Sequence, residues 1–152
     1  MNVTGPSGKL KGDITRQSDF PWDGKDVVVN FQNGATMEGN IKQGMGGRND
    51  FSANKVTFDG ATNATDVVFA GNIYSGGTGA AHSVDKNNGN HVTFTKGSMK
   101  GNIEADGNWD PRWGYNKVTF KQEGAKLEGN ITSNIRGEND VIFEQGGTYV
   151  GP

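Results

Sequence analysis

Leu127-Glu128-Gly129-Asn130-Ile131 is the stretch that decides how this chain folds, because it is written five times. The other versions are Leu10-Lys11-Gly12-Asp13-Ile14, Met37-Glu38-Gly39-Asn40-Ile41, Phe69-Ala70-Gly71-Asn72-Ile73 and Met99-Lys100-Gly101-Asn102-Ile103. Large apolar, polar, glycine, polar, isoleucine is a period-two pattern. One face carries Leu, Met or Phe with Gly and Ile; the other carries Lys or Glu with Asn or Asp. Each stretch therefore predicts a half-buried strand. The glycines are separated by 27, 32, 30 and 28 positions, a nearly constant period.

A second signature alternates with the first. Val29-Asn30-Phe31, Val56-Thr57-Phe58, Val92-Thr93-Phe94, Val118-Thr119-Phe120 and Val141-Ile142-Phe143 all read as strands with Val and Phe inward. Helix is excluded, since apolar residues never fall at three- and four-residue spacing and glycine recurs too often. One pair of short strands per ~28 residues cannot bury its own inner face. Stacking the repeats sets Ile on Ile, Val on Val and Phe on Phe. The predicted fold is therefore all-β: a parallel β-solenoid of about five coils, each with a Val-x-Phe strand and a Leu-x-Gly-x-Ile strand. The outward Asp13, Asn40, Asn72, Asn102 and Asn130 are expected to form a ladder. An antiparallel sandwich of the same strands is the rival, but it has no reason to repeat residue types position by position. Between Phe58 and Phe69 an extra segment carrying Val67-Val68 predicts a swollen coil.

Composition agrees. The 152 residues suffice for a single domain, 1–152, with incomplete repeats at both ends. Only 32% are apolar, yet the net charge of −2 and the regular apolar spacing argue against disorder, and 25 glycines fit many tight turns. With 15 basic and 17 acidic residues and no basic cluster, nothing points to nucleic acid. No apolar run approaches the ~20 residues of a membrane helix, so no membrane insertion is expected. Zero cysteines exclude disulfides and thiolate metal sites. Met1-Asn2-Val3-Thr4-Gly5-Pro6 does not read as a signal segment. The Asn-x-Thr triplets at Asn2, Asn63 and Asn130 read as strand and turn asparagines.

The alternation of Val-Thr-Phe with Gly-Asn-Ile, from Leu10 to Val150, resembles the repeats of β-helical passenger domains of bacterial autotransporters and surface adhesins, vacuolating-cytotoxin-like ones among them. That resemblance implies a secreted right-handed β-helix, rich in Gly, Asn and Thr. It implies localisation outside the cell or on the bacterial surface. It brings no catalytic motif: Gly-x-Ser-x-Gly is absent. The family's signal peptide and C-terminal translocating barrel have no counterpart here. Two readings stand: a piece of a longer surface protein, or a small free-standing solenoid.

The search for chemistry yields little, and the expectation is no enzyme, no catalytic residues, no metal and no cofactor. His82 and His91 fall in or beside a Gly/Asn-rich segment with Asp85 alone nearby, which reads as exposed loop histidines. The acids Asp13, Glu38, Glu104, Asp106, Asp110, Glu128 and Glu144 are scattered and give way to Lys or Asn in other repeats, so they read as a solvated face rather than an acid pair. Gly76-Gly77-Thr78-Gly79 starts like a calcium nonapeptide, but Ala80 and Ala81 follow.

The ligand-binding candidates are aromatic. Trp22, in Asp19-Phe20-Pro21-Trp22-Asp23, and Trp109, Arg112, Trp113 and Tyr115, in Asn108-Trp109-Asp110-Pro111-Arg112-Trp113-Gly114-Tyr115, follow Gly-Asp/Asn-Ile at similar distances. Rings with Asp, Arg and Asn beside them suit recognition of a glycan or another host-surface ligand. Covering the core is the competing use of the same rings. The expected function is a non-catalytic structural or adhesive module, a rod that presents loops. The starting Ile strand and the ending Val-x-Phe strand are complementary, which predicts head-to-tail self-association. A carbohydrate-binding or polysaccharide-acting domain is the alternative.

Overall fold

The computed structural model describes residues 1–16, 25–44, 52–77, 84–107 and 113–152. Among them every regular element is a strand. β1 (Asn2–Thr4), β2 (Lys9–Lys11) and β3 (Ile14–Arg16) make the first coil; β4 (Val27–Gln32), β5 (Thr36–Glu38) and β6 (Ile41–Gln43) make the second. The third is β7 (Ala53–Phe58), β8 (Val67–Ala70) and β9 (Ile73–Ser75), and the fourth β10 (Gly89–Phe94), β11 (Ser98–Lys100) and β12 (Ile103–Ala105). β13 (Gly114–Phe120), β14 (Ala125–Glu128) and β15 (Ile131–Ser133) complete the fifth, and β16 (Gly137–Phe143) and β17 (Gly147–Val150) begin a sixth.

Corresponding strands pair in parallel and in chain order, giving two six-stranded sheets and one of five. The chain is a β-solenoid, as the repeats predict. Val29, Val56, Val92, Val118 and Val141 are direct partners in neighbouring strands, as are Ile14, Ile41, Ile73, Ile103 and Ile131. The five phenylalanines stack face to face from Phe31 to Phe143, with successive centroids 4.5–5.0 Å apart and rings within 12° of parallel. Stacks of this geometry add about 0.5–1.5 kcal/mol per pair beyond area burial. With Met37, Phe69, Met99 and Leu127 they form one buried core running along the axis.

Each coil has three strands, not two, because Leu-x-Gly-x-Ile is broken at its centre. Gly12, Gly39, Gly71, Gly101 and Gly129 have φ between +142° and +153° and turn the chain sharply into the third sheet. A Cβ on Gly39, Gly71, Gly101 or Gly129 would collide with the carbonyl oxygen of the corner glycine one coil before. Glycine is required there twice over, for the dihedral and for the space. The asparagine ladder runs along this corner. Asp13, Asn40, Asn72 and Asn102 each accept, through Oδ1, the backbone N–H of the next coil's Asn at 2.9–3.0 Å. The swollen coil appears as a bulge: Ser98 pairs with Val67 and Met99 with Phe69, so Val68 is extra and packs inward.

Candidate functional site

The second-to-third-sheet corner is tight, and the first-to-second-sheet turns are short except for 59–66. The first-to-second-sheet turns include 33–35, 95–97 and 144–146, and the second-to-third-sheet corner is a Gly-Asn or Gly-Asp pair. Four longer segments, 17–26, 44–52, 76–88 and 106–113, join a third-sheet strand to a first-sheet strand, and a fifth, 59–66, joins the first sheet to the second. Trp22, Trp109 and Arg112 belong to the first four and lie outside the described residues, as do His82 and Asp110.

Trp113 and Tyr115 are described, and they differ. Trp113 is half-buried, with the Arg136 guanidinium carbon 5.7 Å from its ring centroid, within reach of a cation–π attraction. Tyr115 occupies an outward position of β13 yet is only 2% exposed. Lys86 covers its ring at 5.9 Å, and the Lys86 ammonium lies 3.1 Å from Glu138 and 3.6 Å from Asp140. The Tyr115 hydroxyl donates to Asp140 Oδ2 at 2.6 Å, and His91 meets the ring edge-on at 5.8 Å. Burial, then the Asp140 hydrogen bond and the charges of Asp140 and Glu138, push the Tyr115 phenol well up. It therefore stays protonated and works as a donor, not a base. Tyr115 is a covered anchor for the sixth coil, not an open platform.

His91 is not an exposed loop residue. It stands in β10, half-buried, with Nε2 3.0 Å from the Asn88 carbonyl. Burial lowers its pKa and outweighs the opposing Asn88 bond, with Lys117 and Lys55 adding to the depression. Asp85 serves the turn before it, accepting from Asn87 N–H at 3.0 Å and Asn88 Nδ2 at 2.9 Å. No group of three His, Asp or Glu able to hold a metal occurs among the described residues. The acids pair across coils instead: Lys9 with Glu38 at 2.7 Å, Lys42 with Asp13 at 3.3 Å, and Lys100 with Glu128 at 3.9 Å. These exposed pairs carry little energy.

A buried polar row is not apparent from the sequence. Asn54, Asn90, Asn116 and Asn139 stack inside the first sheet, and the Nδ2 of each of the first three donates at 2.9 Å to the next Oδ1. Each of the four amides also donates to a third-sheet carbonyl, of Lys42, Tyr74, Glu104 and Thr132 in turn, at 2.6–2.8 Å. Asn54, Asn90 and Asn116 are fully buried. The row thus laces the first sheet to the third at their shared corner. Its signal was Asn two residues before Val in four repeats. It stops at Val27, which pairs with Asn54, and leaves Asn54 Oδ1 without a hydrogen-bond partner.

The outer rows of the first sheet vary. Val28, Lys55, His91, Lys117 and Asp140 form one; Asn30, Thr57, Thr93, Thr119 and Ile142 form the next. A depression of about 290 Å³ opens across β10, β13 and β16. Comparison with protein-family models, with curated proteins and with solved structures finds no match to this chain. The class established is therefore that of the fold, a three-sheet parallel β-solenoid, and any reading of activity rests on its surface.

Proposed function

We propose that this chain is a non-catalytic structural or adhesive module of the extracellular space or bacterial surface, a rigid rod that presents loops and associates end to end. The observation that carries this reading is the stacking itself: corresponding strands pair in parallel, in chain order and in one register, so the same ladders can be continued from one chain to another. Along β15, β16 and β17 the core rows are partly exposed: Tyr149 is 46% exposed, Val150 36%, and Ile131, Val141 and Phe143 are only half-buried. β15, β16 and β17 are edge strands of their sheets, so one side of each backbone ladder is unpaired. In the first coil Val3 and Leu10, which stand in the same rows, are also only half-buried. Contact between these unlike ends is heterologous, and it propagates into filaments unless its rotation closes. Four of the five longer segments join the third sheet to the first, which supports loop presentation mainly from one flank. The location outside the cell rests on the resemblance to adhesin repeats.

Sedimentation velocity over a wide concentration range, with negative-stain electron microscopy of the same samples, tests the association. Mass increasing with concentration and rods lengthening in steps of one molecule are expected. A sharp monomer at high concentration removes the end-to-end part. Turnover of any substrate in a panel of polysaccharide lyase and hydrolase assays removes the non-catalytic part.

A further inference from the structure

We propose that the outer face of the first sheet binds an acidic oligosaccharide in the groove lined by His91, Thr93, Lys117, Thr119, Lys121 and Glu144. His91 is held by the Asn88 carbonyl and the Tyr115 ring, and none of the six belongs to the apolar core. They point away from the core, and the inward residues of the same strands carry the packing. Six of the eleven lysines carry no ion pair among the described residues, and of these Lys117 and Lys121 are the two that line the groove. Lys9, Lys42, Lys55, Lys86 and Lys100 each have a carboxylate within 4 Å, and Lys55, in the same row as Lys117, is held by Asp26 at 3.0 Å. Lys117 and Lys121 have no ion-pair partner among the described residues. They stand on one face of one chain segment, four residues or about 13 Å apart along the strand direction, with Thr119 between them.

The remaining lining argues for a sugar rather than a bare anion. The Thr93 and Thr119 hydroxyls have no hydrogen-bond partner among the described residues, and Thr119 lies at the floor, 8% exposed. With Nε2–H given to Asn88, the other His91 ring nitrogen keeps a lone pair for a hydroxyl donor. Glu144 on the rim repels a simple anion but accepts from sugar hydroxyls, and Ile142 offers an apolar surface to a pyranose ring. Carboxylate or sulfate groups pair with Lys117 and Lys121. The groove crosses three coils, two strand spacings or about 9.6 Å, room for about two sugar rings along the axis.

The test uses the whole 152-residue chain at low salt. Tetragalacturonate and a sulfated glycosaminoglycan tetrasaccharide are titrated by calorimetry, with the His91 imidazole resonances followed by NMR. The fully methyl-esterified tetragalacturonate and inorganic phosphate are the controls. At least one acidic tetrasaccharide is expected to shift the His91 signals and to bind tenfold or more tightly than the ester and phosphate. Lys117→Gln and Lys121→Gln should each weaken binding about tenfold and leave the thermal melt unchanged. The proposal is overturned if neither acidic tetrasaccharide moves His91, if the ester or phosphate binds equally well, or if both variants bind as the parent does. Enzyme activity and filament formation have no part in this readout, so it stands or falls separately from the rod reading.

Discussion

The inner and outer faces of the first sheet are made by alternate residues of the same strands, and they obey different rules. Inward, the columns keep nearly one residue type: Val in five strands, Phe in five with Val3 at the sixth, and Asn in four with Val27 at the fifth. Outward, one column reads Val28, Lys55, His91, Lys117, Asp140. An inward side chain meets its copy about 4.8 Å away, so each must fit its own shape and satisfy its own hydrogen bonds. An outward side chain meets water and is released from that demand. Identity along a column thus marks what the fold needs, and variation marks where binding has room to differ.

The contrast can be broken most severely at its centre. Phe94→Ala removes a fully buried ring stacked on Phe58 and Phe120, and should cost about 3–5 kcal/mol by lost transfer energy plus the cavity left behind. Urea melts of the purified variant measure it. A loss below about 1 kcal/mol would mean that the ring stack is not a core.

Asn90→Ala comes next. It strips a donor from Asn116 Oδ1 and from the Tyr74 carbonyl, and an acceptor from one Asn54 proton. Orphaned buried groups cost ~1–3 kcal/mol each, partly relieved by water, so about 2–4 kcal/mol is expected. Hydrogen exchange should quicken at the amides of β9 and β10 more than at those of β2.

The Val27 position sharpens the comparison in the other direction. Val27→Asn would give Asn54 Oδ1 the donor it lacks and extend the ladder by one coil. A stabilisation of about 1 kcal/mol is expected, the gain of the bond exceeding the loss of a half-buried valine. A destabilised variant would show that the ladder does not tolerate a fifth member.

On the outer face, His91 links stability to pH. Its folded pKa lies below the unfolded value near 6.5, chiefly through burial, so the unfolded chain binds more protons as pH falls through 6.5. Stability should therefore decline from about pH 7 toward the folded pKa of His91, and His91→Gln should flatten that slope. Asp26 has the opposite kind of shift. Burial acts to raise it, but the Ala53 N–H at 2.8 Å and Lys55 prevail and hold it low. Its contribution is present above ~3.9 and is lost only as pH falls further, so the two groups separate on a pH titration of the melt. The smallest effect is Lys121→Gln, expected within about 0.5 kcal/mol of the parent.

Much of this was legible in one dimension. Ile14, Ile41, Ile73, Ile103 and Ile131 could be assigned to one inward row because stacked coils are the natural way to satisfy a period-two pattern repeated at near-constant spacing. The break inside Leu-x-Gly-x-Ile was hidden because glycine has no side chain to reveal which way it points, so the alternation reads straight through a corner. The Asn54–Asn139 row was hidden for a different reason. An isolated asparagine is polar and belongs in water, and only another asparagine one coil away makes its burial tolerable. Tyr115 looked like a surface aromatic, and is covered because Lys86, contributed by the preceding coil's connection, folds over it. Trp22, Trp109 and Arg112, outside the described residues, stand as the sequence presents them.

By itself the sequence determined the repeat, the strands and the inward rows of Ile, Val and Phe, since hydrophobic periodicity is a property of neighbours along the chain. The tertiary structure alone decided the third sheet, the buried amide ladder and the cationic, hydroxyl-lined groove of the outer face. Each of those depends on what residues roughly one repeat away supply, a hydrogen-bond partner, a covering side chain or a second charge, and only the stacking of coils brings them together.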